Sequence, residues 1–215
     1  MLTVWGRRTS SNVQAVMWCI GELDLEYERI DVGHRFGGND TEQFLAMNPN
    51  GLVPVVRDGD GPALWESGAI LRYLSSAYGG GAFWPADLMA RAEVDRWAEW
   101  AKVSVGTTFT VPIFWAVARS MHADRDWTKI RGSVAKFEER LAIAEAVLSK
   151  RDYLAGEAFS LADIQLGHLL YRYYDLEIER GAFPALAQYY ARLVERPAYR
   201  EHVMVSYEDL RLEPR

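Results

Sequence analysis

The sequence is poor in the residues that build disulfides and metal sites. Cys19 is the only cysteine among the 215 residues, so no internal disulfide can form. A chain of this size without disulfides is typical of a reducing compartment. The histidines do not have the spacing of metal ligands, and we predict no metal site. They are His34, His122, His168 and His202.

The chain also lacks an excess of positive charge and a long apolar run. Lysine and arginine number 24 against 30 aspartate and glutamate residues, for a formal net charge of −6. This balance argues against a protein that mainly grips a polyanion, although it leaves room for a local basic pocket. The most apolar stretch, residues 109–118, is too short to cross a bilayer, and the opening residues do not resemble a signal peptide. We therefore expect a soluble cytoplasmic protein without nucleic-acid or membrane partners.

Two regions of different periodicity follow one another. In residues 1–78, short apolar segments alternate with helical patterns, which predicts the order β-α-β-α-β-β-α. A helix between the first two strands favours a parallel pair, and the RDGDGP turn favours an antiparallel hairpin, so we expect a mixed four-stranded sheet. A glycine-rich linker at 79–88 leads to residues 89–215, which contain helical patterns only. The predicted fold is an α/β domain followed by an all-α domain.

Local signals predict how individual helices begin or break. The first helix should span Asn12 to Leu23, and Ser67 should be the N-cap of the third helix. Pro112 should kink or interrupt the long helix after the linker. In FSLADI, Ser160 and Asp163 have the spacing of a capping box, which is a structural motif rather than a site.

Pro54, within LVPVV, is the first candidate site residue. Proline cannot donate to a strand ladder, so it should lie at an edge or a special bend. A cis Val53–Pro54 bond would turn the Val53 backbone N–H and C=O outward, where an extended peptide-like ligand could pair with them. An edge proline without a role explains the residue equally well.

Glu66 and Ser67, at the end of LWES, are the second candidate. A strand should end and a helix should begin here, and a helix N-terminus attracts a carboxylate. Glu66 could hold an ammonium group, so the pair would suit the α-amino acid end of a ligand. A plain N-cap beside a first-turn acid is the simpler interpretation of these two residues taken alone.

Residues 10–12 form the third candidate, because hydroxyl donors, the Asn12 amide and the helix field would all favour an ionised thiol. One charge-assisted hydrogen bond contributes about 1.5–3 kcal/mol, and ~1.4 kcal/mol shifts a pKa by one unit. A serine here could bring a bound thiol near neutrality, although capping alone also explains such serines. The three features should meet at one sheet edge, and together they fit glutathione.

Four motifs in order resemble those of the soluble glutathione transferase family over essentially the whole chain. They are SSNV after the first strand, NPNGLVPVV, LWESGAILRYL and FSLADI. The resemblance implies a thioredoxin-like N-terminal domain and a helical C-terminal domain, in a serine-type protein similar to the bacterial, phi and theta classes. It also implies glutathione as co-substrate, no metal, and a homodimer.

The resemblance assigns roles around the predicted glutathione site. Val53 would pair its backbone with the cysteinyl part, next to a cis Pro54. Glu66 and Ser67 would hold the γ-glutamyl end. Asn39 would reach the glycyl end from the loop before the second helix.

For the chemistry, Ser10 matches the catalytic serine of the family, and Asn12 would support the thiolate. The second substrate should be held by the helical domain. Phe109, Phe114 and Trp115, near Pro112, could line the electrophile pocket, although each of them also suits a core position.

The leading hypothesis is a transferase that activates the glutathione thiol as a thiolate for attack on a small hydrophobic electrophile. A glutathione-dependent disulfide reductase or peroxidase is one alternative. A non-catalytic glutathione-binding or regulatory protein of the same fold is another. Cys19 lies within a helix without a CxxC partner, which predicts a buried apolar role and disfavours redox chemistry through a protein cysteine.

Overall fold

Four short strands near the N-terminus pair into one mixed sheet, as predicted. They are β1 Leu2–Trp5, β2 Tyr27–Ile30, β3 Val55–Asp58 and β4 Leu64–Trp65. In the computed structural model, which describes residues 1–81 and 83–212, the strand order is β2-β1-β3-β4. β1 pairs in parallel with β2, whereas the β1–β3 and β3–β4 pairs are antiparallel.

Helices cover both faces of this sheet. Val4 and Val56 point into the main hydrophobic core, which also contains the buried residues of the first and third helices. Val55 points the other way, into a small cluster with Phe44 of the second helix. This alternation follows from the two-residue period of a strand. The helices are α1 Ser11–Glu22, α2 Glu42–Met47 and α3 Ser67–Tyr78.

After Tyr78, the described residues form helices and a single isolated β-bridge. The main helices are α4 Leu88–Glu99, α5 Gly106–Phe109, α6 Ala116–Ala118, α7 Trp127–Leu148, α8 Leu161–Asp175, α9 Pro184–Val194 and α10 Pro197–His202. Short 3₁₀ helices lie at His34–Phe36, His122–Asp124 and Glu208–Leu210. Of the predicted linker and helical domain, residues 82 and 213–215 lie outside the described residues.

Pro112 interrupts the α-helical pattern of the long helix, as predicted, although the chain stays helical. α4, α5 and α6 run on as one stretch through two π-helical segments, Trp100–Val105 and Thr110–Trp115, and Pro112 lies in the second. A π-helical turn shifts the hydrogen-bond pattern, so it accommodates a residue that has no N–H. By length and composition alone this stretch could cross a membrane, but the core helix of a soluble protein meets the same test.

Two helix starts differ from the prediction by one residue. α1 begins at Ser11 with Ser10 as its N-cap. α3 begins at Ser67 with Glu66 as its N-cap, so the prediction that Ser67 is the N-cap is wrong. The reason is the backbone of Glu66, which turns the chain in the left-handed region at φ 69°. As a result, the Ser67 side chain is available for other contacts.

α1 packs against both domains. It contacts α3 on the sheet side and α8 and α10 on the helical side. Gly167 of α8 allows α1 and α9 to pack closely against α8, because a Cβ there would lie 2.8 Å from Trp18 of α1 and 2.6 Å from Leu193 of α9. At the C-terminal end of α1, Arg196 forms two hydrogen bonds with Glu22, at 2.7 and 2.6 Å. The two domains therefore share one continuous core.

The predicted capping box at the start of α8 is confirmed. Asp163 is fully buried, and its carboxylate accepts hydrogen bonds from the backbone N–H of Ser160 at 2.8 Å and of Leu154 at 2.9 Å. It also accepts one from the Tyr189 hydroxyl at 3.0 Å. One side chain thus ties the start of α8 to the preceding loop and to α9.

Asp163→Ala should lower the free energy of unfolding by about 3 kcal/mol or more, because each buried donor left without a partner costs roughly 1–3 kcal/mol. Chemical denaturation measures the change. Glu157→Ala, at an exposed position nearby, is the control and should change stability by less than about 0.5 kcal/mol. Equal stability of the two variants would contradict the structural role of the capping box.

Candidate functional site

Five of the predicted site residues meet at one small cleft beside the edge of the sheet. This first cleft has a volume of about 50 Å³ and lies between the start of α3 and the loop that precedes β3. Its lining residues are Asn12, Asn48, Asn50, Leu52, Val53, Pro54, Glu66 and Ser67. Three of these, Asn48, Asn50 and Leu52, were not predicted.

The loop before β3 presents unpaired backbone groups to the first cleft. The Val53–Pro54 peptide bond is cis, as expected. The N–H and C=O of Val53 make no hydrogen bond with another described residue. Asn48 shapes this loop, because its Nδ2 donates to the Leu52 carbonyl at 2.7 Å and its Oδ1 accepts from the Asn50 N–H at 3.1 Å. The two asparagines of NPNG were the sequence signal for this scaffold.

The start of α3 forms the opposite wall. Ser67 is 4% exposed, and its hydroxyl lies 3.4 Å from Asn12 Oδ1, to which it donates. The first backbone N–H groups of α3 precede the first intrahelical bond, which runs from Ile70 to Glu66. They are therefore free to bind an anion, as at other helix N-termini.

Lys102 brings a positive charge from the helical domain to this wall. Its Nζ lies 2.8 Å from Glu66 Oε2, and both side chains are partly exposed. Lys102 was not predicted as a site residue, because the residues around it in the sequence do not indicate that the fold brings it to Glu66. The pair places one cation and one anion next to the α3 N-terminus.

Ser10 caps α1 at the edge of the site but does not line the first cleft. It is 8% exposed, and its hydroxyl makes no capping hydrogen bond. Its backbone N–H donates to the Arg7 carbonyl at 3.1 Å. Ser11 and Asn12 are more exposed, and both line neighbouring cavities. The geometry thus groups Asn12 with the α3 wall, and the Ser10 hydroxyl makes no hydrogen bond with another described residue.

A larger second cleft meets the first at Asn12. Its volume is about 290 Å³, and it separates the start of α1 from the helical domain. Its lining residues are Ser11, Asn12, Ala101, Lys102, Gly106, Thr107, Thr110, Val111, Gln165, His168 and Leu169. His168 is buried, with Nδ1 3.1 Å from the Ile164 carbonyl oxygen, and burial lowers its pKa to about 4. It is therefore a neutral wall residue near pH 7.

The structure does not place the predicted aromatic trio on the wall of the second cleft. Phe109 and Phe114 are 1% and 0% exposed and belong to the domain core. Phe109 packs against Phe137 of α7, with ring centroids 5.0 Å apart. Trp115 is covered by the guanidinium of Arg119, which lies 3.5 Å from its ring centroid. Large aromatic rings gain most by full burial, so smaller residues of the same helix face the cleft.

Asn39 lies outside the first cleft as well. Its Nδ2 donates to the Gly51 carbonyl at 2.8 Å, which ties the loop before α2 to the loop before β3. Gly51 has φ 64°, and a Cβ there would lie 3.1 Å from the Asn39 carbonyl oxygen, so only glycine fits this approach. In this structure the Asn39 side chain supports the site loop.

Cys19 is fully buried in α1, where burial raises the pKa of its thiol to about 12. Its Sγ lies 4.0 Å from the Ser75 hydroxyl oxygen. Within residues 1–81 and 83–212, no cluster of three or more histidine, cysteine or acidic residues could hold a metal ion.

These features define a class of protein. An α/β domain presents unpaired backbone groups and a helix N-terminus to an extended ligand, and it is joined to a helical domain with an adjoining cleft. Comparison with known families agrees. Residues 1–76 match the glutathione S-transferase N-terminal domain, and residues 107–197 match the glutathione S-transferase C-terminal domain. The chain belongs to the glutathione S-transferase family.

Individual relatives match nearly the full chain. Glutathione S-transferase GstB of Escherichia coli K12 is 37% identical over 206 residues, which cover 95% of this chain and 99% of that protein. Glutathione S-transferase F14 of Arabidopsis thaliana is 31% identical over a region that covers 94% of this chain and 81% of that protein. Among solved structures, the glutathione-bound theta class glutathione S-transferase of Xanthomonas axonopodis pv. citri is 42% identical, with a TM-score of 0.90 over 95% of this chain and 98% of that chain.

The native protein should react very slowly with a thiol-specific disulfide reagent. The raised pKa of Cys19, about 12 against an ordinary 9.0, leaves about a thousandfold less thiolate at neutral pH. Absorbance of the released chromophore measures the rate. The denatured protein is the control and should release one equivalent quickly, because the chain has one cysteine. Equally fast reaction of the native protein would show that Cys19 is accessible.

Proposed function

We propose that this protein is a glutathione transferase that binds glutathione in the first cleft and an electrophile in the second. The observation that carries the proposal is the pairing of two unsatisfied groups in one cleft: the Val53 backbone and the N-terminus of α3. Together they suit an extended peptide with a terminal carboxylate. The related Xanthomonas structure is described as having glutathione bound, which supports this ligand.

Each part of glutathione has a matching group. The γ-glutamyl carboxylate would bind the free N–H groups and hydroxyl of Ser67, and Glu66 would receive its ammonium group. The cysteinyl backbone would pair with Val53, which directs its thiol towards the N-terminus of α1. Ser10 is our candidate for the hydroxyl that binds the thiolate, with Asn12 in support.

The proposed reaction is nucleophilic substitution or addition at carbon. The thiol loses its proton to solvent, and the thiolate attacks the electrophilic carbon with its electron pair to form a C–S bond. In a substitution, the leaving group departs with its bonding pair. In an addition, the π electron pair moves onto the electrophile, which then takes up a proton from solvent. The wall of the second cleft combines apolar Val111 and Leu169 with the hydroxyls of Thr107 and Thr110, which suits a small, mainly hydrophobic electrophile. We also propose that the protein works as a cytoplasmic homodimer.

Ser10→Ala should raise the pKa of the bound glutathione thiol by about 1–2 units, because one charge-assisted hydrogen bond contributes about 1.5–3 kcal/mol. At neutral pH, kcat/KM for a model aryl halide should then fall roughly 10- to 100-fold. Ultraviolet absorbance of the thiolate during a pH titration and steady-state kinetics measure the two effects.

Thr9→Ala and Ser11→Ala are the matched controls for Ser10 and should leave both values nearly unchanged. The assignment of Ser10 is overturned if Ser11→Ala or Asn12→Ala reproduces the loss while Ser10→Ala does not.

Ser67→Ala should weaken glutathione binding by roughly 10-fold or more, because it removes a hydroxyl that we place against the γ-glutamyl carboxylate. Isothermal titration calorimetry measures the affinity. Ser76→Ala, at an exposed position of the same helix, is the control and should bind like the unaltered protein. An unchanged affinity in Ser67→Ala would place the γ-glutamyl end elsewhere.

The choice of second substrate separates the proposed function from its alternatives. Turnover of aryl halides or enones supports the transferase. Turnover confined to hydroperoxides or small disulfides would instead identify a peroxidase or reductase that acts through bound glutathione. Tight binding of glutathione with no turnover of any of these substrates would identify a binding protein.

A further inference from the structure

Arg172 of α8 is a fully buried arginine beneath the loop that carries Ser10. It is 2% exposed, and its Nη2 donates to the Thr9 carbonyl oxygen at 2.7 Å. The same nitrogen lies 3.4 Å from Gln14 Oε1 in α1. Its guanidinium carbon lies 4.3 Å from the ring centroid of Phe114. A side chain of the helical domain thus holds the backbone directly before Ser10.

No described carboxylate neutralises this charge. Arg172 forms no ion pair within residues 1–81 and 83–212, and its Nε has no hydrogen-bond partner there. The titratable groups that act on it are Tyr207, Arg7 and Tyr171. Burial lowers the pKa of Arg172 to about 10, so it remains charged at neutral pH. Burying a charge without a counter-ion costs free energy, and a bound anion near Arg172 would offset that cost.

Arg196, an arginine of the helical domain that also contacts α1, has the counter-ion that Arg172 lacks among the described residues. Arg196 forms a two-point ion pair with Glu22 at the C-terminal end of α1. Its charge is therefore compensated locally. At the N-terminal end, no carboxylate among the described residues pairs with Arg172, and this is the end to which the proposed function assigns an anion.

We infer that Arg172 is a positioning residue for thiolate formation: it fixes the Thr9–Ser10 backbone from the helical domain and supplies the positive charge that a bound thiolate balances. The inference rests on the proposed function, because it requires glutathione to place its thiol at the N-terminus of α1. Arg172 itself reaches Thr9 and Gln14, so it acts through the loop. A buried charge is screened little, and it therefore favours an anion nearby.

The test compares the pKa of bound glutathione in the unaltered protein and in Arg172→Met, by thiolate absorbance during a pH titration. We expect the pKa to rise by about one unit or more in the variant. In consequence kcat/KM should fall about tenfold or more below the original pKa and recover at a pH above the new one. Glutathione affinity should change little, because Arg172 lines neither cleft.

Gln14→Glu tests the charge without removing the arginine. The new carboxylate would lie within reach of Arg172 Nη2 and neutralise it, and the resulting ion pair should keep the fold stable. We expect the pKa of the bound thiol to rise in this variant as well. The free energy of unfolding should be no lower than that of the unaltered protein. Gln14→Glu therefore tests the effect of the Arg172 charge on the thiol pKa even if Arg172→Met does not fold.

Arg196→Met is the matched control, since it also removes an interdomain arginine but one that is paired with Glu22. It should destabilise the protein and leave the thiol pKa unchanged. The inference is overturned if folded Arg172→Met or Gln14→Glu keeps the original thiol pKa, or if activity falls by the same factor at every pH. A normal thiol pKa for glutathione bound to the unaltered protein would instead refute the proposed thiolate mechanism, and the role of Arg172 with it.

Discussion

Helix α1 is enclosed by the two domains, and every residue from Val13 to Ile20 is buried. α3 packs on one side, and α8 and α10 pack on the other. Arg196 holds the C-terminal end through Glu22, and Arg172 holds the backbone at the N-terminal end. Because close packing leaves such a helix no room to shift, the position of its first turn is set by both domains together.

This constraint explains why the candidate site lies at the domain junction. The first turn of α1 places Asn12 beside Ser67, and the two clefts meet at Asn12. The helical domain adds two positive groups to this region, Lys102 beside Glu66 and Arg172 at the Thr9 carbonyl. The chain as a whole is acidic, with a formal net charge of −6, yet this junction gathers cations around two helix N-termini. An anionic ligand is therefore favoured here by the local field rather than by the overall charge.

The sequence predicted the parts of the fold that depend on local patterns. The mixed sheet followed from the order of strands and helices, and the capping box followed from the spacing of Ser160 and Asp163. The grouping of Val53 with Ser67 could be expected because both adjoin neighbouring strands of the sheet. Such features are set by residues close together in the chain or by simple rules of topology.

Other features depend on contacts between distant residues, which one sequence does not reveal. Phe109 and Phe114 were expected near an electrophile, but they lie in the core, where Phe109 packs against Phe137 and Phe114 against Tyr207. The start of α3 at Ser67 differs from the prediction because its N-cap, Glu66, adopts a left-handed backbone, which is uncommon for glutamate. The sequence gives no sign of the role inferred for Arg172, because that role depends on a contact with Thr9, 163 positions earlier in the chain.

The position of bound glutathione tests the proposed site most directly. A crystal structure of the complex should show the cysteinyl backbone paired with Val53, the γ-glutamyl carboxylate at the N-terminus of α3, and the sulfur within hydrogen-bond distance of the Ser10 hydroxyl. Glutathione bound outside the first cleft, or with its sulfur directed away from the start of α1, would contradict it.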